Sequence, residues 1–361
     1  MSYQIDAEDI PDIALGATFL GTGGGGEPYI GQLFAQTALR EEGPVTVLAP
    51  DELDDDDFVI PTGGMGAPTI GIERPRQGLE PVWALQGLER RLQRRADATM
   101  PVECGGGNSL VPIMTAARAH LPVVDADGMG RAFPELQMET FGVHGVRADP
   151  MTLASSHHDL IVIETGDIDN ARIEWLARGE VVRLGGAAAM ALYPMTGEQV
   201  KRTAIPGTLS MCRKIGKTLK EVRERRGDPV DALQEVFQES PYGAVRALFR
   251  GKIVDVLRRN ERGFTVGRAK ISGYDHEEYE LIFQNENLLV QSGGETLCTV
   301  PNLIVTMEED KRVPITTQSL RYGQRVVGIG VSAPEAMCSP EALAVFGPRR
   351  FGLDTDYQPV V

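Results

Sequence analysis

The sequence predicts an α/β (α+β) amino-terminal domain carrying Gly-rich loops, followed by an all-β carboxy-terminal domain. Three observations carry that expectation. Through the first 240 residues or so, short apolar runs alternate with amphipathic stretches and glycine-rich turns. From Ala247 onward the apolar period shortens to that of a strand, and strand-like runs follow one another across short turns. A chain of 361 residues is too long for one average domain and suits two, drawn here at 1–240 and 241–361.

Taken in order, Asp6 to Leu20 places Ile10, Ile13, Leu15 and Phe19 at helical spacing, with acidic residues in the first turn where the helix dipole favours them. Val45–Leu48 and Phe58–Ile60 read as short buried strands, separated by the acidic run Asp54–Asp57, a solvated turn. Leu79 to Leu92 is a helix with an Arg-rich end. Pro101–Cys104 (strand), Ser109–His120 (helix) and Pro122–Asp125 (strand) then give the strand–helix–strand order of a parallel layer. Residues 151–165 return to strand character, and Ile168–Ala177 reads as a helix. The small-residue run Gly185–Leu192 suits a tight crossing of helices or strands. Thr196–Thr203, Gly207–Arg225 and Pro229–Phe237 form a helical region. Two strands, Phe249–Arg259 and Gly263–Ile271, flank a turn at Asn260–Gly263; Tyr279–Phe283, Asn287–Val290 and Leu303–Met307 follow. Arg325–Val331 either finishes this block or returns to the first domain.

Charge narrows the partners. With 51 acidic and 36 basic residues the formal net charge is −15, a field that repels phosphate backbones and anionic lipid. Nucleic acid and membrane surfaces are therefore not expected as partners. The apolar runs fall far short of the roughly 20 residues a spanning helix needs, and no signal peptide is visible at Met1–Asp6. Cys104, Cys212, Cys298 and Cys338 are widely spaced, which excludes a disulfide framework or a zinc ribbon. The expectation is a reduced, cytoplasmic protein acting on a small molecule.

Glycine is the anomaly: 41 residues, about 11% of the chain, against a usual ~7%. Thr22–Gly31 and Thr62–Gly71 share the pattern T-G-G-x-G-x-P-x-I-G at a spacing of 40 residues. A third cluster, Gly105-Gly106-Gly107-Asn108, begins 42 residues after Gly63. Such turns let the backbone approach a ligand, and a following helix offers free N–H groups. The expectation is that they converge on one ligand, with Thr22, Gly23, Gly24, Gly25, Gly64, Gly106, Gly107 and Asn108 binding substrate. A dinucleotide fingerprint fails for want of an acidic residue placed about 20 residues after Gly23 in a βαβ unit. A Walker loop is absent, so neither NAD nor ATP is expected.

The acid–base candidates lie nearby. Val124–Glu135 starts where a strand ends and holds Asp125, Asp127, Arg131 and Glu135 among glycines. Asp125 and Asp127 read as general base or hydrogen-bond acceptors, Arg131 as the holder of an anion, and Glu135 as a substrate contact. Glu103 and Cys104 precede the third cluster. Glu27, a carboxylate inside the first loop, is placed to balance a positive ligand group, accept an N–H or join a metal. His157 and His158 are the candidate metal ligands, although neighbours on a strand point to opposite faces.

Ala17–Gly26, Asp125–Glu135 and Leu320–Val326 resemble the S-methyl thiohydantoin desulfurase family. The resemblance runs nearly end to end and implies the same two-part architecture. It implies hydrolysis at C2 of a substituted thiohydantoin or related hydantoin-type ring, releasing a thiol and leaving a hydantoin. Glycine-loop N–H groups would stabilise developing negative charge, and a carboxylate or a hydroxide on a divalent metal would supply the base. The family occurs near, or fused to, hydantoinase/oxoprolinase subunits, so the alternative is a non-catalytic partner subunit of such a complex. A homo-oligomer is expected.

Overall fold

The computed structural model describes residues 2–26, 28–66, 76–166, 169–261 and 264–360. Glu27, the end of the second glycine pattern, the first residue of the predicted 168–177 helix and part of the predicted 260–263 turn lie outside them.

The first domain begins with β1 (Tyr3–Ile5), α1 (Ile10–Leu20), α2 (Pro28–Glu42) and β2 (Val45–Leu48). Two parallel crossovers follow: β3 (Phe58–Gly66), α3 (Glu80–Leu92), β4 (Ala98–Pro101), α4 (Leu110–Ala119) and β5 (Val123–Val124). Then come β6 (Ala126–Asp127), α5 (Thr140–Val143), β7 (Met151–Ala154), β8 (Leu160–Ile163), α6 (Asn170–Arg183), β9 (Ala187–Ala191) and β10 (Met195–Thr196). The helical region is α7 (Gly197–Thr203), β11 (Ile205–Pro206), α8 (Thr208–Arg225) and α9 (Pro229–Gln238).

Nine of these strands form one sheet, with order β1-β2-β5-β4-β3-β9-β7-β8 and β10 also paired to β3. Only β2, β5, β4 and β3 run parallel; the rest pair antiparallel, so the sheet is mixed. The parallel neighbours β3, β4 and β5 are joined through the crossover helices α3 and α4, and the short link from Ala154 to Leu160 suits the antiparallel pairing of β7 with β8.

The second sheet is wholly antiparallel. It comprises β12 (Val245–Glu261), β13 (Phe264–Gly273), β14 (Glu278–Gln284), β15 (Glu286–Ser292), β16 (Glu295–Thr299), β17 (Leu303–Glu308), β18 (Val313–Pro314) and β19 (Arg325–Val331). The order is β16-β15-β14-β13-β12-β19-β17-β18, which settles the position of Arg325–Val331: it lies between β12 and β17 in the second sheet. A last helix, α10 (Pro340–Phe346), had no counterpart in the sequence reading.

One core crosses the boundary. Val245, Val305, Val327 and Ile329 of the second sheet pack in the same cluster as Ile13 and Phe19 of α1, Leu209 and Ile215 of α8, and Phe237 of α9. Burying both faces of α1 in this way fixes the loop that follows it against the second domain. No helix among the described residues is long and apolar enough to cross a membrane.

Candidate functional site

Glycine-rich segments from three parts of the chain meet at one place. α1 ends at Leu20, and Thr22 and Gly23 then take left-handed φ of 49° and 93°. The second domain holds this turn: the Asn287 N–H donates to the Thr22 carbonyl at 2.7 Å and the Thr317 N–H to the Gly23 carbonyl at 2.8 Å. Gly107 N–H in turn donates to the Gly25 carbonyl at 2.9 Å, joining the third turn to the first.

The second glycine segment differs from expectation. Thr62–Gly66 is not a loop but the end of β3, in register with β9: Gly64 faces Ala189 and Gly66 faces Ala187. Small residues on both strands leave a strip of bare backbone there. It forms one wall of a hollow of about 220 Å³ at the carboxyl ends of β3 and β4, lined also by Gly25, Gly26, Gly107 and Asn108. Open α/β sheets bind ligands at that edge. Phe34, Phe133, Met65, Met114, Met129 and Met190 give the hollow an apolar side.

Glu103 is the predicted acid that lines it. Only 5% exposed, its Oε1 accepts from Asn108 Nδ2 at 2.6 Å and its Oε2 from the Phe133 N–H at 3.2 Å. Burial, and then the neighbouring Glu286 carboxyl, push it up to about 8. Glu286, 3% exposed, comes from the first residue of β15. Burial pushes it up to about 8 as well, opposed by the Arg131 guanidinium and the Gly25 amide. A third lining carboxyl, Glu139, is 1% exposed, with neither oxygen hydrogen-bonded. Burial, Asp127 and Glu103 hold it well above the ordinary carboxylate range.

The other predicted residues have different places. Asp125 is not among the lining residues; its carboxylate accepts from the N–H groups of Leu209 and Ser210 at 2.8 and 3.0 Å and from the Ser210 hydroxyl, so it caps the first turn of α8. Asp127 likewise accepts from the Cys104 N–H at 2.7 Å and the Gly130 N–H at 3.1 Å, and burial pushes it up to about 7. Both aspartates end strands, and both face backbone amides rather than the hollow's surface.

Arg131 holds no anion there either. Fully buried, it donates to the carbonyls of Asn302 at 2.6 Å, Asn287 at 2.8 Å and Ala132 at 3.2 Å, fastening the first domain to the second. Burial pulls it down to about 10.

Thr22, Gly23, Gly24 and Gly106 shape the turns without lining the hollow, whereas Gly25, Gly64, Gly107, Asn108 and Glu135 line it. Glu135 is paired to Arg350 at 2.9 Å. His158 stacks on Trp83 with ring centroids 3.9 Å apart, and neither it nor His157 lines the hollow. Among the described residues no group of three or more His, Cys, Asp or Glu side chains is placed to hold a metal ion. Cys104 is fully buried, and burial pushes its thiol well up.

Sequence reasoning missed Glu139, Glu286, Glu174 and Arg178, which also line the hollow. The signal for Glu286 was present: Gln284-Asn285-Glu286-Asn287 sets four polar residues between two apolar runs. Arg178 pairs with Glu174 at 2.6 Å and lies 5.0 Å from the ring centre of Phe264, at the start of β13.

Two family models together span nearly the whole chain. The S-Me-THD-like N-terminal domain matches residues 8–165 and the S-Me-THD-like C-terminal domain residues 168–360. A crystal structure of a protein from Chromobacterium violaceum is similar with a TM-score of 0.85 at 23% identity, over 99% of this chain and 100% of that one. It shares the fold. No curated protein matches the chain.

Proposed function

This chain belongs to the S-Me-THD-like family, and from that premise we propose that it is a hydrolase of S-methyl thiohydantoins or closely related hydantoin-type rings. One observation carries the reading: Glu103 and Glu286, one from each domain, both buried and both pushed up to about 8, line the same glycine-walled hollow. Two such carboxyls titrate as a pair, and the form with one ionised and the other neutral is reached as pH rises towards about 8.

The roles follow from their partners. Both Glu103 oxygens receive N–H donors, which favours its carboxylate and makes it the base. Oε2 of Glu286 has no partner, and that carboxyl is the acid. Glu286 gives its proton to a ring nitrogen, which withdraws electrons from C2. Water attacks C2 as Glu103 takes its proton, and the new C2–O bond gives a tetrahedral centre. The C2–S bond then breaks with its electron pair on sulfur, Glu103 protonates the departing thiolate, and the hydroxyl proton returns to Glu286 as the C2 carbonyl forms. Hydantoin and thiol leave, and both carboxyls end as they began. Met and Phe side chains suit the methylthio group.

The test is to incubate the purified chain with an S-methyl thiohydantoin between roughly pH 6 and 9 and to measure methanethiol and hydantoin. Glu103→Gln and Glu286→Gln are each expected to lose about 100-fold or more in kcat with the melting temperature retained. Absence of thiol release by the native chain defeats the proposal.

A further inference from the structure

The hollow is acidic, and two of its carboxyls, Glu139 and Glu286, have oxygens without partners. Its lining among the described residues includes six glutamates and two arginines. One arginine, Arg178, is already engaged by Glu174 at 2.6 Å and by the Pro134 carbonyl at 2.9 Å. Both oxygens of Glu139 and Oε2 of Glu286 accept no hydrogen bond, although these side chains are 1% and 3% exposed. A buried acceptor without a donor is costly, and a ligand N–H removes that cost.

We propose that the hollow binds five-membered cyclic amidinium and guanidinium cations as a class, their N–H groups directed to Glu103, Glu139 and Glu286. The inference rests on the reading of this hollow as a hydantoin-type ring site and states the charge and the substituents it accepts. A cyclic amidinium carries one ring N–H on either side of C2 and spreads its charge across both, so separate carboxylates can each take one charge-assisted hydrogen bond. The exocyclic group on C2 is then free to meet Met65, Met114, Met129 and Met190, which accept sulfur, methyl or amino groups by shape rather than by a fixed hydrogen bond.

Binding of this kind displaces a proton. Facing Glu103 are Glu286, Glu139, Asp127, Arg131, Asn108 and the Phe133 amide; facing Glu286 are Glu103, Arg131, Arg178 and the Gly25 amide; facing Glu139 are Asp127, Glu103 and the Tyr193 hydroxyl. Burial dominates in each and favours the protonated carboxyl. A neutral ring takes one of those protons, whereas a permanent cation sends it to solvent.

Calorimetry on the full chain tests this with 2-aminoimidazoline, a permanent cation, and 2-imidazolidinone, the neutral urea of the same ring. The cation is expected to bind about tenfold or more tightly than the urea near pH 7. It is expected to release about one proton, read from buffers of different ionisation heat, and its affinity to rise up to about tenfold per unit below about pH 8 and level off above. Equal affinity for the two rings, no binding of either, or cation binding without proton release overturns the inference. Glu103→Gln and Glu286→Gln are each expected to erode the preference; should either fail to fold, the two-ligand comparison on the native chain decides alone. Methanethiol release is assayed on the same preparation. Release without ring discrimination overturns the inference only; discrimination without release overturns the hydrolase and leaves the cation site standing.

Discussion

Asn108 closes its side-chain amide on the backbone of Gly64, with Oδ1 accepting the Gly64 N–H at 2.7 Å and Nδ2 donating to the Gly64 carbonyl at 3.1 Å. The same Nδ2 donates to Glu103 at 2.6 Å, so one side chain sets the carboxyl's position against β3. Asn108→Ala removes a donor that favours ionised Glu103. The carboxyl therefore moves further above about 8, and the acidic limb of kcat/KM against pH shifts upward, by about one unit. Stability falls by about 1 kcal/mol for the lost hydrogen bonds. An unmoved acidic limb in an active variant removes Glu103 as the base.

Two adjacent glycines separate function from folding. A Cβ on Gly24 lands 1.9 Å from Oε1 of Glu286, the far end of a side chain. A Cβ on Gly25 meets the Gly105 carbonyl oxygen at 2.4 Å, at a residue with φ of +71°. Gly24→Ala therefore pushes the Glu286 carboxyl aside and lowers kcat with a modest loss of melting temperature. Gly25→Ala strains main chain against main chain and costs about 2 kcal/mol or more. Equal effects of the two on stability and turnover, measured by thermal melts and thiol release, would contradict this division.

Asp125 contributes to stability rather than to turnover. Asp125→Ala leaves the first N–H groups of α8 without their acceptor and is expected to cost about 1–2 kcal/mol in denaturant unfolding. Turnover per folded molecule stays within about twofold, well below the 100-fold loss expected of a general base. A larger loss in kcat returns Asp125 to the list of reacting groups.

Glu139 makes stability depend on pH. Its carboxyl lies above the ordinary 4.5 in the fold, so folding takes up a proton that the unfolded chain has lost. The contribution is intact below about pH 4.5 and declines as pH rises, by up to about 1.4 kcal/mol per unit. Glu139→Met has no such proton and fills a similar space. The variant gains little near pH 4.5 and progressively more as pH rises above it, measured by unfolding at several pH values. Parallel stability curves would show that Glu139 ionises normally.

Local pattern carried much of this into the sequence. Glycine has few reasons to recur at near-even spacing after apolar runs, and the three clusters do meet. Helical periodicity marked α1, α3, α4, α8 and α9 to within a residue or two at most ends, Asp6 against Ile10 being the widest miss. The small-residue run became β9 because its partner, Gly63–Gly66, is equally bare, a fact about two segments more than a hundred residues apart. The aspartates misled for a related reason. An acid beside a glycine turn looks the same whether it caps an amide or meets a ligand, and only the position of α8 distinguishes the two for Asp125. Glu286 and Glu139 were invisible because their meaning depends on the other domain, or on a cavity with no linear signature.

The bonds that tie the halves together have a property of their own. Arg131 reaches the carbonyls of Asn287 and Asn302, and the first glycine turn receives the amides of Asn287 and Thr317. On the second domain those four partners are main-chain atoms, to which the Thr317 hydroxyl adds a bond to the Gly23 carbonyl at 3.2 Å. Drift at positions 287 and 302 therefore leaves these bonds available, whereas Thr317 contributes its side chain and Arg131 has no substitute of equal reach. A chimera joining residues of this first half to a distantly related second half should still seat itself, as a fold retained at 23% identity suggests.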